Sequence, residues 1–391
     1  MRILYINSVP NGSTGKICRD LYDLAIENGF DCCIAYGRGN IDSKYNSIRI
    51  GNNFDVYQHV LKTRVFDRHG LESKKATKSF LKEVSIFNPD IIHLHNIHGY
   101  YINIPLLFEY FKENPDIKII WTLHDCWSFT GHCAYFTYSG CEKWQVQCKN
   151  CVSKKEYPSS LVFDNSKINY AWKKDLFSKV GNMTLVTPSA WLQHLVRKSF
   201  LKKFPCKIIH NGINTSIFKK KNIVKQDDKT IILGVANIWD KRKGLNYFID
   251  LYNILDKDKY KIVLVGVAEE QMDKLPKDII KLKKTNNLEE LVDLYNSAEV
   301  LFNPTLEDNY PTVNLEAQAC GTPVLTFDSG GSAETLISTS RVVKDVEEVK
   351  QILEKETKIK LDFEIDLLKI EAKYLFKEYI DLYKEVLGGV K

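Results

Sequence analysis

The stretch Glu307-Asp308-Asn309-Tyr310-Pro311-Thr312-Val313-Asn314-Leu315-Glu316-Ala317 decides the reading of this chain. It runs on through Ala319-Cys320-Gly321-Thr322-Pro323-Val324 to Gly330-Gly331-Ser332-Ala333-Glu334. Asp308 stands just ahead of a helix start, and Glu316 follows eight residues later. Two carboxylates so placed can hold two sets of hydroxyls on one ligand. The backbone between them, through Asn309, Tyr310 and Pro311, brings N–H groups to a helix N-terminus, where a phosphate is favoured. A lone helical Glu is usually a solvated face, but that reading does not account for the whole string.

Outward from this string, short apolar runs alternate with longer amphipathic ones. Strands are expected at Arg2–Ile6, Cys32–Tyr36, Ile91–Leu94, Ile119–Leu123 and Leu185–Thr187. A second series follows at Lys207–His210, Ile231–Val235, Lys261–Val265, Val300–Phe302 and Pro323–Thr326. Helical periodicity fills the gaps, for example at Gly15–Asn28, Lys75–Phe87, Leu245–Leu255, Glu289–Ser297 and Thr312–Ala319. Such alternation reads as right-handed βαβ units on parallel sheets. The pattern runs twice, so an α/β protein of two doubly wound, Rossmann-like domains is expected, 1–188 and 189–368, with the break where Pro188 interrupts. The amphipathic tail 369–391 fits either domain and is free to cross back to the first. Residues 219–229 read as a charged loop, and the Cys-rich, aromatic segment 125–155 as an insertion after a strand.

Three further motifs sit at strand ends, where open α/β sheets bind ligands. Gly12 and Gly15, after the first strand, could bring backbone N–H groups to a phosphate or simply make a strand-to-helix turn. The spacing is neither a dinucleotide fingerprint nor a P-loop. His124, in Trp121-Thr122-Leu123-His124-Asp125, would point into the crevice, with Asp125 able to orient its ring. Lys241-Arg242-Lys243-Gly244 puts three cations at a helix start, suited to a diphosphate.

The acid-x7-acid string, with Ala-x-Ala-Cys-Gly-Thr-Pro-Val and Gly-Gly-x-x-Glu after it, resembles the donor site of the retaining glycosyltransferases of family 4. Ile208-Ile209-His210-Asn211-Gly212-Ile213-Asn214, with Phe218, is similar to the segment that opens their second domain. The resemblance implies the GT-B fold, two Rossmann-like domains facing a cleft, and a nucleoside-diphosphate sugar as donor, with no metal needed for the transfer. It assigns Lys243, and Arg242 beside it, to the donor diphosphate, Asp308 to the sugar hydroxyls, Glu316 to the ribose and His124 to the donor sugar. Gly12 and Gly15 fall in the family's N-terminal glycine loop. The sequence departs from the family in two places. Asn237 stands where the family has a cation six residues before the Lys, leaving Arg242 or Lys241 to supply that charge. The first acid is Asp308 rather than Glu, with Glu307 one residue earlier as a competitor.

The expected activity is a retaining hexosyl transfer to a sugar hydroxyl of a polysaccharide or lipid-linked oligosaccharide precursor. A sugar-nucleotide epimerase on the same scaffold, or a zinc-pinned nucleic-acid module, are the alternatives. The net charge, 55 Lys+Arg against 49 Asp+Glu, is too small a surplus to indicate a nucleic-acid partner. No apolar run approaches the roughly 18 residues of a membrane span, and the N-terminal stretch lacks a secretory pattern. A cytoplasmic protein is expected, with contact to the inner-membrane surface through basic, amphipathic Trp191–Phe204 and the cluster Lys74, Lys75, Lys78. Finally, Cys133, Cys141, Cys148 and Cys151 carry one C-x2-C half-site, a pattern of structural zinc, with His132 as a substitute ligand. The interleaved Tyr135, Phe136, Tyr138 and Trp144 would then cap the acceptor side.

Overall fold

The computed structural model describes residues 1–223, 228–337, 339–355 and 366–388. Residues 224–227 of the expected loop and 389–391 of the expected tail lie outside them. The chain divides into two units, Met1–His210 with Phe376–Lys391, and Asn211–Leu375.

Unit 1 is a seven-stranded parallel sheet in the order β3-β2-β1-β4-β5-β6-β7. Its strands are β1 Arg2–Asn7, β2 Asp31–Tyr36, β3 Ser47–Arg49, β4 Ile91–Leu94, β5 Lys118–Thr122, β6 Met183–Thr187 and β7 Cys206–Ile208. β1 pairs with β2 on one side (Ile3↔Cys32) and with β4 on the other (Ile3↔Ile91). The strand order therefore reverses between β1 and β4. Near-continuous apolar strands such as Ile3, Leu4, Tyr5 and Ile6, all fully buried, match a sheet covered on both faces.

The division lies between His210 and Asn211 rather than at 188/189. β7, which the sequence suggested as the start of the second series, pairs with β6 through Leu185↔Cys206 and so completes the first sheet. Helix Lys377–Val386 also belongs to unit 1. Its Tyr383 hydroxyl meets His93 Nδ1 at 2.8 Å, and Tyr379 meets Thr122 Oγ1 at 3.0 Å.

Unit 2 is a six-stranded parallel sheet, β10-β9-β8-β11-β12-β13. Its strands are β8 Thr230–Val235, β9 Tyr260–Val265, β10 Ile280–Leu282, β11 Val300–Asn303, β12 Val324–Phe327 and β13 Arg341–Val343. Adjacent residues feed opposite cores, as the period of two requires. Ile232, Leu264, Phe302 and Leu325 join Phe248 on one face, while Leu233, Val263, Leu301 and Val324 join Leu315 on the other. The strand order reverses again, between β8 and β11. Two parallel sheets of this wiring are the two Rossmann-like domains expected from the sequence.

Candidate active site

In unit 2 the switch point lies where β8 and β11 end, and the sequence-predicted residues follow those two strands. After β8, Asp240 caps a short 3-10 turn, Lys241–Lys243, its carboxylate accepting from Lys243 N at 3.1 Å. Gly244 then takes φ +75°, and a Cβ there would overlap the Pro304 carbonyl, so glycine is required for the turn to reach the next strand. Lys243 Nζ donates to Asp308 Oδ2 at 2.5 Å. Arg242 approaches the same oxygen at 3.7 Å and donates to the Glu307 carbonyl at 2.6 Å. Lys241 and Asn237 are exposed, so Arg242 stands beside Lys243 as the second cation.

Asp308 is held from every side. Its Oδ1 accepts from Asn309 N at 2.8 Å. Its carbonyl accepts from Gly331 N at 2.8 Å, and Gly330, at φ +59°, lies so close that a Cβ would overlap that carbonyl. The Gly-Gly pair is thus the floor under Asp308. Burial works to raise the Asp308 carboxyl, but the charges of Lys243 and Arg242 and the hydrogen bonds from Lys243 and Asn309 outweigh it and hold it below the usual carboxylate range. Glu307, Asn309 and Tyr310 are buried.

Pro311 opens helix Thr312–Ala319. Asn314 ties that helix to Asn303, Ser332 and Thr335, and Gln318 ties it to Thr335 and Ile337. Glu316 accepts from the Tyr295 hydroxyl at 2.9 Å, which fixes one carboxylate oxygen. The arrangement offers two cations, a charged Asp308 and an oriented Glu316 on elements locked by buried polar ties, suited to an anionic, hydroxyl-rich ligand.

In unit 1, helix Gly12–Glu27 starts directly after β1. Gly12 has φ +75° and open space around it, whereas a Cβ on Gly15 would strike the Val9 and Pro10 backbone. Gly15 therefore has a packing reason of its own. His124 follows β5, and its Nε2 meets His95 Nδ1 at 3.0 Å with the rings stacked. Burial pushes His124 down to about 4, so it stands as a neutral imidazole at neutral pH. Asp125 does not partner that ring by a hydrogen bond. Its Oδ2 takes His98 Nε2 at 2.8 Å and its Oδ1 accepts from Trp127 N at 2.9 Å, because the chain turns sharply there into a 3-10 turn. His98 Nδ1 in turn meets the Tyr157 hydroxyl at 3.0 Å. Sequence reading missed His95 and His98. Both follow β4 and sit beside β5 only through the sheet, although a His in each of two neighbouring strand ends was the available signal.

The segment 125–155 differs from expectation. Phe129, Phe136 and Trp144 are buried against one another, and the segment joins the main core of unit 1. Phe136 and Trp144 are therefore core residues rather than an acceptor-reading cap. Lys173, fully buried, pins the segment by donating to the Trp127 and Thr130 carbonyls at 2.8 and 3.0 Å, with its ammonium 3.2 Å from the centre of the Trp127 ring. His132 is committed to Asp67, Nδ1 to Oδ1, at 2.6 Å. Cys133, Cys141, Cys148 and Cys151 line one small cavity as free thiols. Cys133 is hydrogen-bonded to Cys151, and Cys148 Sγ accepts from Gly131 N at 3.2 Å. Among the described residues no three His, Cys, Asp or Glu side chains are arranged to hold a metal ion. The four thiols share a cavity without forming a cage.

Trp191–Phe204 also differs. Leu192, Leu195, Val196, Leu201 and Phe204 are buried in the unit 1 core, so its basic residues are the solvated side of a core element. Among the described residues no helix is long and apolar enough to cross a membrane.

Residues 215–366 match the family model of glycosyl transferases group 1. The chain is 23% identical over 384 residues to WcaC of Escherichia coli (strain K12), named for colanic acid biosynthesis, with 90% of each chain covered. It is 25% identical over 205 residues to the N,N'-diacetylbacillosaminyl-diphospho-undecaprenol alpha-1,3-N-acetylgalactosaminyltransferase of Campylobacter jejuni, covering 49% of this chain and 53% of that one. Among solved structures, sucrose-phosphate synthase from Thermosynechococcus elongatus aligns over 99% of both chains with a TM-score of 0.71 at 14% identity, a likeness of fold. The chain has the GT-B fold, and its residues 215–366 form a glycosyl transferases group 1 domain.

Proposed function

We propose that this enzyme is a retaining hexosyltransferase of family 4. It would take a hexose from a nucleoside-diphosphate sugar to a sugar hydroxyl of a polysaccharide or lipid-linked oligosaccharide precursor. The observation that carries the reading is the contact of Lys243 with Asp308 at the β8/β11 switch point. There a cation suited to a diphosphate stands next to an anion suited to sugar hydroxyls. The names of the two relatives, one for colanic acid biosynthesis and one for a diphospho-undecaprenol acceptor, support the acceptor class.

In this mechanism the bond from the anomeric carbon to the diphosphate oxygen breaks as the acceptor oxygen bonds to that carbon from the same face, and the acceptor's hydroxyl proton passes to the departing diphosphate oxygen. Negative charge grows on the departing diphosphate, and Lys243 and Arg242 stabilise it together with N–H groups at the start of helix 312–319. Lys243 then divides its charge between the diphosphate and Asp308, whose low pKa keeps it an acceptor for sugar hydroxyls. Glu316, oriented by Tyr295, takes the ribose hydroxyls. Neutral His124 is assigned to the donor sugar as a hydrogen-bonding group, and Gly12 and Gly15 to the loop that admits the ligand's phosphates.

The test is a panel of nucleotide-sugars incubated with and without lipid-linked and soluble sugar acceptors. Release of nucleoside diphosphate that depends on acceptor, with an axial or equatorial product bond matching the donor, is expected. An epimerised nucleotide-sugar formed without acceptor would replace transfer by epimerisation. Silence across the panel from folded protein would remove the proposal.

A further inference from the structure

Helix Asn53–Phe66 is built inside out. Its buried residues are the polar His59 and Thr63, while Phe54, Tyr57 and Leu61 are 66, 68 and 54% exposed. These three lie at i, i+3 and i+7, one stripe along the helix. The inward polar face is satisfied. His59 Nδ1 meets Ser73 Oγ at 2.9 Å, His59 Nε2 accepts from Gly70 N at 3.1 Å, and Thr63 Oγ1 donates to the His59 carbonyl. The outward apolar face has no such account in the packing of unit 1.

A second apolar element lies against the end of this helix. Leu161 N donates to the Arg64 carbonyl and Phe163 N to the Val65 carbonyl, and Phe163 stacks on Phe66. Leu161, Val162 and Phe163 are 60, 57 and 51% exposed, three successive apolar side chains on a surface strap. Together, stripe and strap present six large apolar groups to the outside of unit 1.

Cations outnumber carboxylates around them. Exposed Arg64 continues the stripe one turn beyond Leu61, Lys62 and Arg68 flank it, and exposed Lys74 and Lys75 open the next helix directly after Ser73. Lys154 Nζ reaches over the strap to the Val162 carbonyl. The nearby acids are turned to internal tasks. Asp55 caps the helix, Asp67 pairs with buried His132, Asp164 accepts from Cys151 N and Ser166 N, and Glu72 is shared by Lys62 and Arg68. Apolar and aromatic side chains rimmed by cations, with no outward carboxylate among them left unshared, complement an anionic bilayer surface.

We infer that the stripe Phe54–Tyr57–Leu61 and the strap Leu161–Phe163 form a docking face for an anionic phospholipid surface. This replaces the Trp191–Phe204 segment as the membrane contact. It deepens the proposed function, since a lipid-linked acceptor resides in such a surface, but does not rest on it. Docking would survive even if the transferred sugar or the acceptor were wrong.

The experiment is co-sedimentation of the full chain with phosphatidylcholine vesicles, with or without phosphatidylglycerol, at low and high salt. Wild-type protein should pellet with the anionic vesicles at low salt and release as salt rises. The triple variant Phe54→Ser, Tyr57→Ser, Leu61→Ser should bind at least about tenfold more weakly, the scale of withdrawing three apolar side chains from an interface. Arg64→Glu should weaken binding chiefly at low salt. Hydrogen exchange of the unit 1 amides in the variants, read separately, should equal wild type and shows that they fold. Wild type left in the supernatant at low salt, or a triple variant that pellets equally, overturns the inference. Concentration-dependent dimerisation abolished by the triple variant, without vesicle binding, overturns it in favour of an interface between copies.

Discussion

Units 1 and 2 share one wiring, a parallel sheet whose order reverses beside its first strand, yet they are equipped with different chemistry. None of the nine histidines falls within Asn211–Leu375, and of the ten cysteines only Cys320 does. Unit 2 gathers charged side chains, Lys243, Arg242, Asp308 and Glu316, around one switch point. Unit 1 gathers groups that burial drives toward their neutral forms: stacked His95 and His124, and buried Lys173. The same scaffold thus carries an electrostatic clamp in one copy and a lining of buried imidazoles in the other.

Acid should separate the two most strongly. Burial pushes His59 and His93 to about 3 and His124 to about 4, and drives His69 and His95 well below 6.5. The unfolded chain takes up protons on these residues near 6.5 and the folded unit does not. Stability is therefore fully present above 6.5 and falls as pH drops toward 4. His124 alone is worth about 3 kcal/mol over that window, and the others add to it. His132, raised by Asp67 against the effect of its own burial, opposes them in part. Hydrogen exchange read by mass spectrometry should show unit 1 amides opening between pH 6.5 and 4 while unit 2 stays closed. If unit 2 opened first, the comparison would fail.

On the clamp side, Lys243→Ala should lower turnover by about 10²-fold, close to 3 kcal/mol, through loss of one charge-stabilising donor. Unit 1 should melt as before. Turnover within about threefold of wild type in folded protein would remove Lys243 from the leaving-group role.

The matching change in unit 1 is Lys173→Met. It removes an ammonium that burial already depresses to about 7, and strands the Trp127 and Thr130 carbonyls. A loss of about 2 kcal/mol is expected, with faster proteolysis within 125–155 and donor-nucleotide affinity unchanged. Weaker donor binding would show that the segment reaches further than its own unit.

The smallest effect sharpens the role of Glu316. Tyr295→Phe deletes one hydrogen bond to a carboxylate that stays in place, so donor KM should rise about fivefold, near 1 kcal/mol, with kcat almost unchanged. A fall in kcat at constant KM would move Glu316 from donor binding to the chemical step.

The contrast also explains what could be read before the structure. The clamp of unit 2 was legible because Asp308, Glu316 and the Gly330–Gly331 floor lie within one contiguous string, and Lys243 is fixed by a Lys-Gly turn. Ten strands were placed by their apolar runs. β3, β10 and β13 were not, since three-residue edge strands such as Ser47-Ile48-Arg49 are too short and too polar to show a period. The lining of unit 1 is assembled across crossovers, with Asp67 meeting His132 and Lys173 meeting Trp127, and no local spacing reports such pairs. The Cys spacing suggested a metal, but it could not show that Phe129, Phe136 and Trp144 already supply the segment with a core. Helix 53–66 escaped because its apolar period points outward.

Helix 377–386 gives the chain an order of events during synthesis. All of unit 2 is synthesised before the helix that completes unit 1. Until then His93 and Thr122, both wholly buried in the finished sheet, lack the Tyr383 and Tyr379 hydroxyls that satisfy them. The nascent first half must wait with an open seam, although it emerges first, while the later-made half, contiguous in sequence, can close without delay. A truncated chain ending near residue 375 would therefore carry a complete unit 2 and an unfinished unit 1, a natural substrate for chaperones and proteases.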